Sequence, residues 1–501
     1  MAIFDTLRDK MRNFLQITEN TTITNLVIDQ SMTREVESAC YNVLYRADSY
    51  EIEQMFKNIN FTGSARFWPS VPSSGLSLRK IHTAIPALII DTHANILVSS
   101  LNNPTFEDEA DGEIFDSTFS HDNNQDFKEL IKEADTQVLI EGDGAFKCSW
   151  DTSLSQYPIW EFYPGSKVDI NRTHNVITEI IFYTEIVENK RKYTLKETYG
   201  KGYIVNELYY ENHIVDLTAT KATAKLEPRI EFEGNYIAAI YVKYWDNPKF
   251  KGRGKSILAG KIDNIDALDE IVSQWQDAVR AGRVQRYIPE QLIPRDTNGK
   301  LMRPNPYDNQ FIAVRSSGGE GNDKITVVQP TISYDAFLSS YVAALDRLLM
   351  GIVSPSTLGI DARKLDDNAT AQREREKITG WVRSQRIDKL KYIIKQLVNI
   401  TLKTYANIHG MQGYDDYAFD ITFDEFNSPN LEEIVEVMSK AMPGKALFST
   451  ETATEIIAHA LNKDEKWVAE EVAKIKEESG LTLTEEPALG QSDFDIDDTE
   501  V

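Results

Sequence analysis

Between residues 255 and 281, apolar side chains recur at Leu258, Ile262, Ile265, Leu268, Val272, Trp275 and Val279. Spacings of three and four predict one face of an amphipathic helix. Asp263, Asp266, Glu270 and Asp277 fall three, four and seven apart and form a second, acidic stripe on the same helix. Such a helix can pack along its apolar side while showing carboxylates to a wet space. The helical period returns at 332–351, with Phe337, Leu338, Tyr341, Val342, Leu345, Leu348 and Leu349 on the buried side. A third and longer helix is predicted over 369–409. Its apolar side comprises Ile378, Trp381, Val382, Ile387, Leu390, Ile393, Ile394, Leu397, Val398 and Ile400. The 283–330 interval holds short strand-like runs broken by Asn298-Gly299 and by the SSGGEG turn at 316–321.

Upstream, residues 1–60 read as mostly helical. An apolar helix with a strand-like end follows over 81–101, stopped by Asn102-Asn103-Pro104. The acidic stretch 107–126 is expected to be a solvated loop, and 127–139 a helix ended by Gly142-Asp143-Gly144. From 145 to 245, runs such as VITEIIFYTEIV and YIVNELYY are rich in β-branched and aromatic residues and predict antiparallel strands. Residues 248–256 read as a Pro/Gly/Lys linker, 419–426 as one strand, and 430–479 as further helices with a start at Ser449. The tail 481–501 has seven acidic and no basic residues, a composition expected to be disordered. The predicted class is α+β.

Charge changes the picture more than size does. The chain has 501 residues and a formal net charge of -24, whereas a protein that wraps nucleic acid is basic. Its two cysteines, Cys40 and Cys148, match no disulfide or metal spacing, which points to folding in a reducing compartment. No apolar run reaches the ~18 residues that a membrane helix needs. The amphipathic N-terminus is expected to dock on its own domain or on a neighbouring subunit rather than on a membrane.

Candidate chemistry is sparse. Gly252-Arg253-Gly254-Lys255-Ser256 ends like a phosphate-binding loop, but Lys249 stands where the first glycine belongs. The alternative of a nucleotide-dependent translocase rests on these residues alone. The seven histidines are scattered; His82 and His93 read as satisfied structural residues. No catalytic constellation, metal set or cofactor is expected. The cations along 373–395, Arg383 and Arg386 among them, read as a solvated, salt-bridged helix face. Arg363 and Lys364 differ, because they sit in a Gly-containing loop where mobile cations can touch phosphate without holding it.

Taken together, KGRGKSILAGKIDNIDALDEIVSQ, SPSTLGIDARKLDDNATAQREREK and FDITFDEFNSPNLEEIVEVMSKAM, in this order and spacing, resemble the portal proteins of tailed bacteriophages. The likeness is to siphophage-type portals of Gram-positive hosts and covers most of 80–478. It implies a wing over 1–253, a first stem helix at 254–282 and a clip at 283–331. A second stem helix at 332–351, a tunnel loop at 352–368, a long helix and closing wing strand at 369–428, and crown helices at 429–480 would follow. The implied protein is a non-enzymatic ring of twelve subunits at the capsid vertex of the virion, assembled in the host bacterial cytoplasm. Double-stranded DNA would pass through it in packaging and ejection. Implied partners are the terminase large subunit, head-completion or adaptor proteins, the major capsid protein and scaffold. Asp263, Asp266, Glu270 and Asp277 would then line the channel, and Arg363 and Lys364 would brush DNA from the tunnel loop. Arg283, Arg286, Arg295 and Arg303 would dock partners at the clip. A capsid or scaffold component without a channel is the further alternative.

Overall fold

The structure is a computed structural model. It describes residues 33–59, 67–68, 79–282, 285–289, 293, 297, 299–300, 311–314, 326–328, 331–360, 369–411, 417–424, 450–460 and 465–478. The chain is of mixed α+β class and divides into two compact units, Met1–Asp424 and Glu425–Val501.

In the first unit, α1 (Arg34–Arg46) starts where Thr33 caps the amide of Val36 and ends at Ala47 in the left-handed conformation; α2 (Ser49–Ile59) follows directly. The apolar helix α3 (Ile85–Ser99) carries Pro86 in its first turn, where no intrahelical N–H is needed. Strand β1 (Thr105–Phe106) leads into α4 (Glu109–Thr118). The acidic stretch expected as a loop is therefore partly helical. Asp108 caps the amide of Ala110, acidic residues occupy the positive end, and Phe115 and Thr118 are buried. Helix α5 (Phe127–Glu141) is capped by Asp126 and closed by Gly142 at φ 97°. Ile89, Ile90 and Leu97 of α3 join Ile131, Val138 and Leu139 of α5 in one core.

The predicted strand layer forms two sheets. Strand β2 (Asp143–Ser149) lies between β3 (Ile159–Pro164) and β10 (Ala239–Lys243), all antiparallel. The second sheet runs β4 (Val168–Thr173), β5 (Val176–Glu188), β6 (Arg191–Gly200), β7 (Tyr203–Tyr210), β8 (His213–Val215), with β9 (Arg229–Glu231) also on β7. Three of its hairpins turn on two residues with positive φ: His174-Asn175, Asn189-Lys190 and Glu211-Asn212. Two consecutive left-handed residues make the turn whose twist matches that of the flanking strands.

Helix α6 (Ile262–Ala281) starts seven residues later than the pattern suggested, because 255–261 is held in turns. Strands β11 (Gln285–Pro289), β12 (Phe311–Val314) and β13 (Thr326–Val328) form a small mixed sheet, β12 parallel and β13 antiparallel to β11. Helix α7 (Tyr334–Leu349) returns against α6, and the 40-residue α8 (Ala369–Ile408) crosses the body. Ile394, Leu397 and Val398 of α8 enter the main core. Ile378 and Trp381 do not: they are 44% and 61% exposed, contrary to the sequence pattern. Strand β14 (Phe419–Asp420) pairs with β1, and Phe423 bridges to Leu101, so the expected strand is short and lies beside the end of α3; residues 425–426 of the expected 419–426 lie outside the described residues.

In the second unit, α9 (Thr450–Ala460) and α10 (Glu465–Glu478) pack together, with Ala453, Ala458 and Val472 buried. Ser449 and the acidic tail lie outside the described residues.

Candidate channel hairpin and its anchorage

Helices α6 and α7 form an antiparallel hairpin. At its base Lys261 donates from Nζ to the carbonyls of Met350 (2.9 Å) and Arg347 (3.2 Å), closing the last turn of α7 with a cation. Midway, Trp275 stacks on Phe337 with ring centres 6.2 Å apart and meets Tyr334 and Tyr341 at steeper angles. At the far end Gly282 lies so close to Ile332 that a Cβ there would sit 2.4 Å from its Cδ1. Burial falls along this length. The buried residues of α6 are Ile265, Asp266, Leu268, Asp269 and Ser273, and those of α7 are Leu345, Leu348 and Leu349, all but Ser273 in the halves nearest the base. Val279 and Tyr334, toward the far end, are 45% and 56% exposed.

The acidic stripe does not present one uniform face. Asp263 is exposed, and Glu270 and Asp277 are half-buried; Gln274 donates to Glu270 at 2.8 Å. Asp266 is only 8% exposed and accepts from the backbone N–H of Trp68 at 3.1 Å. Its assignment to a wetted channel face is therefore corrected: α6 turns this carboxylate inward, where it meets the preceding part of the chain. Asp269, which the sequence reading passed over, is buried beside it and takes the side chain of His82 and the amide and hydroxyl of Thr83.

Of the remaining candidates, Arg286 lies in β11, opposite Phe311 and Val327. Arg283, Arg295, Arg303, Arg363 and Lys364 lie outside the described residues.

The 248–256 segment is not a free linker but the anchor of the hairpin. Arg253 makes a bidentate pair with Asp143, at 2.9 and 3.0 Å, and also donates to the carbonyls of Val168 and Gly165. Gly254 N–H and Tyr241 O–H donate to the same carboxylate at 2.7 and 2.8 Å, and Arg34 Nη2 lies 3.4 Å from its Oδ1. Burial alone would raise the carboxyl of Asp143, but Arg253 and Arg34 outweigh it and hold the group below the usual carboxylate range.

The same contacts answer the phosphate-loop alternative. Gly254 N–H is taken by Asp143, Lys255 N–H by the Trp245 carbonyl and Ile257 N–H by the Leu139 carbonyl, while Ser256 is buried and donates to Leu139. A phosphate cradle needs several free amides converging on one point. Here those at 254, 255 and 257 are engaged with the protein itself.

A second buried centre ties α8 to the body. Arg386 and Asp135, both fully buried, form a charge pair. Tyr244 donates its hydroxyl to Asp135 at 2.6 Å, and Arg386 donates to Nδ1 of His93 at 3.2 Å. The opposite nitrogen of His93 faces the Ile352 carbonyl at 3.2 Å, so a neutral ring accepts at one edge and donates at the other. Burial and the adjacent Arg386 push His93 down to about 3. Arg386, and Arg383 beside it, are thus corrected from a solvated salt-bridged face to the interior. Both partners of this second centre left a trace in the sequence: Asp135 and Arg386 each stand at a stripe position, four residues from Ile131 and from Val382 and Leu390.

With this geometry in place, comparison with known proteins gives the following. The chain matches no family model and no curated protein. Among solved structures it is similar to a chain from the neck of an empty gene transfer agent particle, determined with C6 symmetry. Identity there is 12%, over 74% of this chain and 89% of that one, with a TM-score of 0.40. It is also similar to a chain in the virion of a native gene transfer agent particle (12% identity, 73% and 98% coverage, TM-score 0.32). A chain of the native neck, with C12 symmetry, gives 11%, 73% and 98%, and 0.32. At these values the similarity fixes neither family nor function.

Among the described residues no group of three or more His, Cys, Asp or Glu is placed to hold a metal ion, and no helix is long and apolar enough to cross a membrane.

Proposed function

We propose that the chain is the subunit of a closed ring with a central channel for double-stranded DNA, and that the α6–α7 hairpin forms part of the channel wall. The burial gradient along the hairpin carries this reading. Its base is built into the body, its aromatic midsection holds the two helices together, and its far half leaves Val279 and Tyr334 uncovered within one subunit. Neighbouring copies side by side in a ring would cover that apolar flank. Asp263, Glu270 and Asp277 would face the channel, whereas Asp266 would not. The chemistry suits transit: a duplex carries one negative charge per ~1.7 Å of axis, so a carboxylate wall repels it at every step and offers no site to stall on. In this reading Arg363 and Lys364 are passing contacts to phosphate, and Arg283, Arg286, Arg295 and Arg303 offer cations to docking partners. Terminase, head-completion proteins, capsid protein and scaffold would bind the assembled, twelve-subunit ring in the virion. The ring does no chemistry; a separate motor supplies the work.

Charge reversal tests the wall. The assembled wild-type protein is expected not to retain free duplex DNA at physiological salt. The triple variant Asp263→Lys/Glu270→Lys/Asp277→Lys is expected to bind it, with an affinity that falls steeply as salt rises. Tight binding by the wild type, or no gain in the variant, contradicts the assignment of these residues.

A further inference from the structure

The acidic face of α6 is more than a stripe, because part of it is a socket. Residues 79–84 lie along it and donate in sequence: Ile81 N–H to Ser273 Oγ (2.9 Å), His82 Nδ1 to Asp269 Oδ2 (2.8 Å), Thr83 N–H and hydroxyl to Asp269 Oδ1 (3.0 and 2.8 Å). Ser273 in turn donates to the Asp269 carbonyl at 2.7 Å, which fixes its rotamer. One turn earlier, Asp266 accepts from Trp68 N–H through Oδ2, while its Oδ1 is buried with no hydrogen-bond partner among the described residues.

We propose that residues 79–84 are a proton-sensitive clasp on α6, which seats the base of the hairpin most firmly when the Asp266–Asp269 face carries one negative charge fewer. The inference is independent of the ring reading and concerns only how α6 is held.

The balance of charge at the socket supports it. From α6 itself, Asp263, Asp269 and Glu270 face Asp266; from the clasp come Lys80 and His82, and from α2 Glu53 and Lys57 flank Lys80. Lys80 also lies over the Trp68 ring, 5.0 Å from its centre. Burial pushes the Asp266 carboxyl up to about 6, the three neighbouring carboxylates push the same way, and the Trp68 amide opposes them. A carboxyl raised on docking favours the docked state below its folded value, and that advantage is lost as pH rises through about 6. The clasp is therefore tight near pH 5 and looser above 7, the reverse of the behaviour expected of an ordinary paired aspartate.

Hydrogen exchange on the full-length protein tests this at single elements. After correction for intrinsic exchange, the Ile81 and Thr83 amides are expected to be several-fold, and at most about tenfold, better protected at pH 5 than at pH 7.5, the ratio that a carboxyl titrating at about 6 sets across that window before solvent screening. Asp266→Asn keeps an acceptor for Trp68 and removes the charge. It is expected to show the higher protection at both pH values and to abolish the pH dependence. Ser273→Ala removes one acceptor without altering charge, and should lower protection at both pH values while keeping their ratio. A wild-type clasp equally protected at both pH values overturns the proposal. So does a pH dependence that survives in Asp266→Asn, which would assign the effect to the His82–Asp269 pair.

Discussion

Replacing Arg386 with leucine is expected to destabilise the unit Met1–Asp424 by about 3–5 kcal/mol, one of the two largest single-residue effects expected in this protein. The reason lies in what remains. Asp135 is fully buried, and without the guanidinium its carboxylate keeps, among the described residues, the Tyr244 hydroxyl. A buried charge without its counter-charge costs several kcal/mol, more than the pair gained by forming. His93 loses its donor as well. The double variant Asp135→Leu/Arg386→Leu removes both charges and is expected to recover most of the loss, since a well-packed apolar pair of similar volume is often neutral. Denaturation followed through Trp160 and Trp245, both bonded to α8 (to Thr401 and Gln385), reads these differences directly. A single variant within 1 kcal/mol of wild type would refute the account. The site also has a pH signature. His93 is held near 3 against an ordinary 6.5, so the unfolded chain binds the extra proton between those values and stability falls as pH falls through that window. From this group alone the slope is about 1.4 kcal/mol per pH unit. A His93→Gln variant should flatten it.

Gly254→Ala is expected to cost at least about 2–4 kcal/mol, by overpacking together with a broken buried network. A Cβ at 254 would stand 2.0 Å from the carbonyl oxygen of Gly142, and one at 142 would stand 2.6 Å from that of Gly254. The contact is backbone against backbone, so no side chain can swing aside. Separating the two segments would pull the Gly254 amide and Arg253 from Asp143, the carboxylate that joins α1, β2, the β3–β4 turn and the approach to α6. Because Asp143 is held below its ordinary value, its contribution is present at neutral pH and is lost as pH falls below about 4. Lys255→Ala, by contrast, is expected to stay within about 0.5 kcal/mol, since Lys255 is exposed. The phosphate-loop reading predicts instead an ATP turnover that Lys255→Ala abolishes. Turnover measured on the wild type and on this variant separates the two readings.

Local chemistry made much of this legible in advance. The stop at Gly142, the strand-rich 145–245 layer, the return of α7 and the length of α8 follow from periodicity and turn residues, which act over a few positions. What could not be read depends on which segments meet in space. Asp266 and Asp263 look alike on a helical wheel, but only Asp266 meets Trp68, almost 200 positions away in the chain. The acids of 107–126 suggested solvent, yet several of them cap or line the start of a helix whose Phe115 is buried. Arg386 looked like one more cation on a charged helix. Its place in the apolar stripe was the clue, but its partner Asp135 lies 251 residues earlier. Trp381 shows the converse: its period says core, and the fold leaves it exposed.

The central claim is that copies of this chain close into a ring around a hole. Electron microscopy of the purified full-length protein, with class averages viewed down the symmetry axis, tests it most directly. The account predicts closed rings with a central opening wider than the roughly 20 Å of a DNA duplex and the α6–α7 hairpins at its wall. Solid particles or extended sheets, or rings whose opening is lined by another part of the chain, would contradict it.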